Sequence, residues 1–541
     1  MDPLQNDRVT AIWKQLVAAA FAVAIGWGQV AYGAESLLLE VKQFVVEGEN
    51  PLSDQETQAI LAPHLGKHKS LTTLEAAAIA LENALRDKGF AFHRVIVPAQ
   101  RPVAGEVKLR ILQFPLAQVS VAGNQHFSNE NVLNSLPALE AGKPPQVKEL
   151  ARQLSLANEH PAKRLTVNIK ESQEPDHLDA EVRVRDVPSM QTFVALNGGT
   201  RDVDNTINQN TGYTRLTIGH QQSNLFDRDH ALTLAYTTSP EYVSRVMQLG
   251  AFYWLPLYGY HTSLAAYWTK SDVDTGTVGL GGQSFDVSGR GEFSGLRATY
   301  ALPKFGVVNQ HVSLALDDRF FRSDVAFEGT PVQSTPVGSR PLSLRYLARA
   351  EHLQGGIGGY VEYLANIGGG RANDDVCYNN ARQGAAKNWE AFRYGLEAAY
   401  SLGGGWSLIG RFRGQYADEA LIPGEQFGLG GVGSVRGLRD REVNGDKGYF
   451  INIEAHAPAL AWGVAPFAFY DAGHRRHVVP VIGIPTSDNA SSIGVGVRWS
   501  WQRNLDVNAA FATVLNGVSL GNSAATTEGH TKLHFSVFYR F

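Results

Sequence analysis

The chain has 541 residues, 44% hydrophobic, 18% charged and 10% aromatic, with 55 glycines against 3 methionines and a formal net charge of −4. That length predicts more than one domain, a mean hydropathy of −0.17 excludes a bundle of membrane helices, and the missing positive excess removes any general case for a nucleic-acid partner. The single cysteine, Cys377, excludes an intrachain disulfide framework and a cysteine-only metal site, while abundant Gly, Tyr, Phe and Trp suit a large antiparallel β structure.

Residues 1–34 read as a signal peptide. Arg8 and Lys14 precede an uncharged run from Leu16 to Ile25, and Ala31, Gly33 and Ala34 offer a small-residue cleavage site. Asp2 and Asp7 depart from that pattern. The apolar run is too short for a spanning helix and runs into Gly26 and Gly28.

Residues 35–115 read as strand, helices and a hairpin. Val41, Phe44 and Val46 lie in an extended start that Asn50-Pro51 ends. Thr72 and Glu75 have the spacing of a capping box before a helix in which Leu74, Ala78, Leu81 and Leu85 share a face, and Gly89 closes it. A strand is predicted over 90–97, and Val107, Leu109 and Ile111 alternate in the next. Residues 116–188 repeat the order: Val119 and Val121, helices over 131–136 and 147–158, then strands around 165–169 and 178–184. An exposed sheet edge in such a module can accept an extended client as an added strand.

From 189 to 541 helical periodicity gives way to alternation. Leu232, Leu234 and Tyr236 oppose Thr233 and Ala235, and Val312, Leu314 and Leu316 oppose Ser313 and Asp317. In the last segment Leu533, Val537, Tyr539 and Phe541 oppose Lys532, His534, Ser536 and Arg540. Sixteen segments are predicted, at about 22 residues per strand plus connection, which suits spanning strands of roughly 9–11 residues. The uncharged stretch 246–269 reads as two of these strands around a turn at Pro256-Leu257-Tyr258-Gly259 rather than as a helix, which Pro256 would break. Connections after odd-numbered strands are long (271–291, 368–387, 417–447), whereas those after even-numbered strands are short (401–405, 502–503). This rhythm is that of an up-and-down transmembrane β-barrel with tight inner turns and long outer loops, and polar inward faces predict a wet lumen. A soluble sandwich would need a second layer that no later segment supplies.

Gly428-Leu429-Gly430-Gly431-Val432-Gly433 matches a dinucleotide fingerprint only formally, since no helix follows, and its glycines suit a sharp fold-back. Arg436 follows in the longest loop. It is either a solvated loop charge or, if the loop enters the lumen, a guanidinium that needs an acidic partner. Asp471 offers one. It shares strand parity with Phe467 and Phe469, so either those aromatics also face inward or the facing changes locally.

Val435-Arg436-Gly437-Leu438, the motif Phe469-x-Asp471-x-Gly473, the Asn158-x-x-Pro161 turn, two leading modules and a sixteen-strand barrel together resemble the two-partner secretion outer-membrane transporters (TpsB, haemolysin-activator/ShlB/FhaC/HecB type). These belong to the POTRA–barrel superfamily that includes BamA, and the resemblance covers almost all of the mature chain. It implies that 35–115 and 116–188 are periplasmic POTRA domains and that Arg436 pairs with Asp471 inside the barrel. It also implies a bacterial outer-membrane location, and as client a secreted exoprotein with an N-terminal secretion domain of haemolysin or adhesin type. Two departures stand out. Leu438 replaces the usual aromatic, which puts a stacking role there in doubt. The few residues between the cleavage site and Leu37 also leave little room for the family's N-terminal plug helix.

No catalytic set, metal site or cofactor motif emerges: there is no G-x-S-x-G, no H-E-x-x-H and no His/Cys cluster. The expected function is therefore capture of an unfolded exoprotein in the periplasm and its export through the barrel in the outer-membrane lipid. The alternative is a BamA-like assembly factor. A passive porin has no use for residues 37–188, and a lipid-modifying enzyme lacks a recognisable nucleophile and base.

Overall fold

The computed structural model describes residues 39–541 except 69, 200–212, 245, 273–275, 281–282, 288–289, 324–325, 328–329, 332–334, 503 and 521–524. The signal-peptide and plug-helix expectations lie outside the described residues.

The first unit holds β1 (Leu39–Val41), β2 (Gln43–Glu47), α1 (Asp54–Leu61), β3 (Gly66–His68), α2 (Leu71–Asp87), β4 (His93–Ile96) and β5 (Glu106–Gln113). Its sheet has the order β2-β5-β4, with β2 parallel to β5, and β1 pairs with β3. Leu74, Ala78, Leu81 and Leu85 of α2 are buried, as their spacing predicts. The predicted cap is not the observed one: α2 begins at Leu71, which puts Thr72 inside the first turn. A capping box instead opens α1, where Ser53 Oγ accepts the Glu56 N–H and the Glu56 carboxylate accepts the Ser53 N–H. The strand expected over 90–97 contracts to β4.

The second unit begins with β6 (Leu116–Ala122), α3 (Asn129–Asn134), α4 (Val147–Ala157), β7 (Lys163–Glu171) and β8 (Leu178–Asp186). Its order β6-β8-β7, with β6 parallel and β7 antiparallel to β8, repeats that of the first sheet. Asn158 ties helix to strand, its side chain donating to Leu165 O and accepting the Leu165 N–H.

The same unit continues into a closed barrel. Its strands are β9 (Met190–Gly199), β10 (Thr214–Leu225), β11 (His230–Thr238), β12 (Gln248–Leu257), β13 (Thr262–Ser271), β14 (Gly291–Phe305), β15 (Val308–Ser323) and β16 (Thr335–Ser339 and Pro341–His352). They continue with β17 (Gly355–Asn366), β18 (Glu390–Gly403), β19 (Trp406–Tyr416), β20 (Lys447–His456), β21 (Val464–Arg476), β22 (Ser487–Trp501), β23 (Leu505–Asn516) and β24 (Thr531–Arg540). Each pairs antiparallel with its neighbours, and β24 closes on β9 from His534↔Gly199 to Arg540↔Phe193. Closure leaves no strand edge facing lipid, which the hydrocarbon core demands because it offers no hydrogen-bond partner.

Facing follows parity. Leu234 and Tyr236 point outward while Thr233, Ala235 and Thr237 are buried inward; Leu533 and Tyr539 oppose buried Lys532 and His534. Pro256 lies within β12, opposite Ser263, so the turn falls two residues later, at Tyr258–His261. The wet lumen is met only in part. An apolar cluster including Phe252, Phe293, Phe321, Tyr378, Trp389 and Leu421 joins wall strands to outer-loop residues.

Candidate functional site

The connection 417–446 between β19 and β20 folds back into the lumen. Gly430 and Gly431 carry φ of +119° and +85°, and the Gly430 N–H donates to Ser434 Oγ at 2.7 Å. This glycine-rich stretch therefore makes a fold-back, not a phosphate cradle. Beyond it Val435 and Leu438 are fully buried and Arg436 nearly so.

Arg436 is gripped from several sides. Its Nε and Nη2 donate to Asp471 Oδ2 and Oδ1, both at 2.7 Å, and its backbone N–H donates to Oδ2 at 3.1 Å. Nη1 donates to Glu454 Oε1 at 2.7 Å, and the guanidinium carbon stands 3.5 Å from the Phe469 ring centroid. Asp471 is wholly buried and also accepts from Asn452 Nδ2 at 2.8 Å. Glu454 in turn accepts from Arg498 Nη2 at 2.7 Å and lies 2.9 Å from His456 Nε2. A planar fork between two carboxylates, with one face on an aromatic ring, is a geometry lysine cannot reproduce. Removing one partner of such a buried set costs about 3–5 kcal/mol, because the other charge is stranded.

The strand motif supplies the seat. Phe467, Phe469 and Asp471 all face inward, which settles the parity question in favour of inward aromatics. The Phe469 ring sits in space left by Gly494, where a Cβ would come within 2.3 Å of Cζ, and Arg436 stands over its face. Gly473 makes room for the loop itself: a Cβ there would meet Leu429 Cδ2 at 2.6 Å. Gly437 adopts φ +94° against Val514 of β23, and its N–H donates to His534 Nε2 on β24 at 3.1 Å. Leu438 does not stack. It is buried in an apolar cluster with Leu429, Val435, Val443 and Phe450.

Two further charged clusters flank this lock, and neither was singled out from sequence. At the inner mouth Lys163 of β7 is buried against Asp229, in the turn between β10 and β11, with Nζ 2.5 Å from Oδ2. Lys163 also donates to Asn131 Oδ1 and Ser135 Oγ, both at 2.7 Å. Asp229 accepts from Asn131 Nδ2 at 2.9 Å, Ser135 Oγ at 3.1 Å and Tyr258 OH at 2.5 Å. Burial pushes the Lys163 ammonium below its ordinary value. Burial alone would raise Asp229, but Lys163, His160 and the hydrogen bonds from Lys163 and Tyr258 together hold it below the usual carboxylate range. Beside them His160, pushed down to about 4 chiefly by burial, packs on Phe127 and Trp254 and bonds Ser223 O at 2.6 Å. Lys163 shares strand parity with buried Leu165, so a charge on a core-facing position was a legible signal.

Toward the outer mouth Glu425, wholly buried, accepts from Arg319 Nη1 of β15 at 2.7 Å, Arg393 Nη2 of β18 at 3.1 Å and Ser339 Oγ of β16 at 2.6 Å. Asp446, also wholly buried, pairs with Arg382 and accepts the N–H groups of Leu421 and Val478, each at 2.8 Å. Among the described residues no group of His, Cys, Asp and Glu side chains is placed to hold a metal ion. These clusters hold together segments that are distant in sequence.

Comparison with known proteins follows the same outline. A family model described as haemolysin secretion/activation protein ShlB/FhaC/HecB matches residues 195–498, and one described as POTRA domain, ShlB-type, matches 39–113. The heme/hemopexin transporter protein HuxB of Haemophilus influenzae is 20% identical over 498 residues, covering 88% of this chain and 84% of that protein. The outer membrane transporter CdiB of Dickeya dadantii is 21% identical over 484 residues, covering 83% and 78%. Among solved structures, CdiB from Escherichia coli superposes with a TM-score of 0.71 at 15% identity, covering 100% of this chain and 99% of that one. At that identity the superposition speaks for the fold.

Proposed function

The chain belongs to the haemolysin secretion/activation family ShlB/FhaC/HecB, and from that premise we propose that Arg436 and Asp471 form a reversible latch in the path of an exported protein. The chain is an outer-membrane β-barrel translocator of two-partner secretion. In the proposed cycle the α+β modules, read as POTRA domains over 35–115 and 116–188, receive an unfolded exoprotein in the periplasm. Its extended backbone would add to an edge strand of a module sheet, β2 or β4 in the first and β6 or β7 in the second, since backbone pairing asks little of the client's sequence. The client then threads the lumen, where Val435, Arg436, Gly437 and Leu438 occupy the route until the latch to Asp471, Phe469 and Gly473 is broken.

The observation that carries this reading is the fork of Arg436 on Asp471, which ties the tip of a long outer loop to the barrel interior. The client class we assign is a secreted exoprotein with an N-terminal secretion domain, of haemolysin or adhesin type. In this reading the chain moves a polypeptide and performs no covalent chemistry. The test is secretion by Arg436→Ala and Asp471→Ala, with heat-modifiable gel migration as the check that the barrel has folded and inserted. Both are expected to lower export of the cognate exoprotein while leaving insertion intact. Wild-type export by both would remove the latch from the mechanism.

A further inference from the structure

Segment 367–389, between β17 and β18, carries α5 (Asp375–Ala381), whose start is capped by Asp374 Oδ1 accepting the Cys377 N–H at 2.8 Å. Its side chains point into the barrel mouth: Tyr378 and Trp389 are fully buried. Trp389 Nε1 donates to Tyr378 OH at 3.2 Å, and Asn366 Nδ2 donates to Lys387 O at 2.8 Å, tying the segment to the end of β17. Around the rings pack Ala235, Phe252, Phe293, Phe321, Val337 and Leu364, which come from β11, β12, β14, β15, β16 and β17. These are the third, fourth, sixth, seventh, eighth and ninth strands of the closed order, one continuous arc of wall.

The other end of the segment reaches the far side. Arg382, just after α5, pairs with Asp446 at the start of β20, the twelfth strand, and Nη2 donates to Val479 O beyond β21, the thirteenth. In a sixteen-strand barrel the fourth and twelfth strands stand opposite each other. Through the apolar cluster on one side and the Arg382 ties on the other, the segment is linked to both sides of the bore. It is also bound to the loop that carries Arg436, because Leu421 and Ile422 of that loop join the same apolar cluster and Arg382 Nη1 donates to Leu421 O at 2.7 Å. Asp446, with Arg382 and the Leu421 and Val478 N–H groups upon it, is the point where the two inserted segments and the wall meet.

We propose that segment 367–389 is an outer stopper: an insert whose buried face, Tyr378, Ala381 and Trp389, is apolar, that closes the extracellular mouth at rest, held by the Arg382–Asp446 pair, and that must withdraw together with the long loop for a polypeptide to leave. The proposal deepens the secretion reading and rests on it. An apolar buried face suits a removable closure, because it excludes water from the bore while the ionic tie to the long loop sits on Arg382. Coupling follows from shared residues: pulling Arg436 inward or outward moves 421–446, which strips Asp446 from Arg382.

The test is single-channel conductance of the purified full chain in planar bilayers. Three proteins are compared: wild type, Arg382→Ala and a deletion of residues 370–384. Wild type is expected to conduct rarely and weakly. The deletion is expected to raise conductance several-fold, and Arg382→Ala to raise the frequency of openings several-fold at unchanged heat-modifiable migration. A wild-type channel already as conductive as the deletion variant overturns the proposal, a result that needs no variant to fold beyond the deletion it is compared with. Equal, low conductance in all three also overturns it. If Arg382→Ala fails to insert, the deletion decides, and if the deletion fails, opening frequency in Arg382→Ala decides. Export by Arg436→Ala is scored separately, so loss of the stopper and loss of the latch are distinguishable.

Discussion

The collar around Asp229 and the lock around Arg436 are both buried ion pairs joining segments distant in sequence, yet they are built in opposite ways. In the collar the Lys163–Asp229 pair is surrounded by neutral partners, Asn131 and Ser135 on both charges and Tyr258 on the carboxylate, so its polar valences are met inside a sealed interface. In the lock a planar guanidinium is shared between two carboxylates, and one of them, Glu454, is shared again with Arg498 and His456. Spare partners on a shared carboxylate let an ion pair be exchanged step by step, while a sealed pair must be broken at once. On the proposed reading the collar is a fixed mount for the second module and the lock is the part that moves.

The sharpest way to break that contrast is Asp229→Ala. It strands Lys163 in the interface, and a cost of about 3–5 kcal/mol is expected, seen as new protease cleavage between 186 and 190 in the full chain. Unchanged protection would mean the collar is no mount.

Acidification comes next, and its sign is fixed by His160. The docked state holds its pKa at about 4, below the usual 6.5, so docking is at full strength above pH 6.5 and weakens as pH falls toward 4. Asp229 and Lys163 face the ring with opposite charges, and Arg164 adds a third, its Nη1 donating to His160 O. Protease sensitivity at 186–190 should rise by up to about tenfold per pH unit through that window and lose most of that slope in His160→Gln, with His261, lowered by burial beside Glu149 and Arg152, leaving a residual slope of the same sign.

On the lock side, Arg436→Lys keeps the charge but loses the fork, with an expected loss of about 1.5–3 kcal/mol. Secretion should fall, with thermal unfolding of the barrel lowered by about 2–4 °C. Wild-type secretion would show that charge alone suffices. The mildest case is His534→Ala, which removes one acceptor from Gly437 and should cost about 1 kcal/mol. A partial drop in secretion, restored by His534→Gln, is the outcome that assigns it to seating the loop tip.

Local pattern carries far in this chain because strand parity is a property of each strand alone. The inward placement of Thr233, Asp317 and His534, and the outward placement of Leu234, Leu314 and Tyr539, could all be read from alternation. So could the repeated modules, since helix faces such as Leu74, Ala78, Leu81 and Leu85 are set by spacing. The candidate lock was legible only as motifs, and Arg436 alone looked like a loop charge. Gly473 could be read only as a letter of the strand motif, whereas the structure shows it as the space that Leu429 occupies.

What the amino-acid order determined by itself was the kind of wall: its alternating faces, the long and short connections between its strands, and the modules ahead of it. What only the tertiary structure decided was which distant charges meet inside that wall. Lys163 finds Asp229, Arg382 finds Asp446 and Glu425 finds Arg319 across gaps that no local period spans. The reason is physical. Alternation and capping are fixed by neighbours within a few residues, but an ion pair is worth forming only where closure of the barrel removes water and brings the partners together.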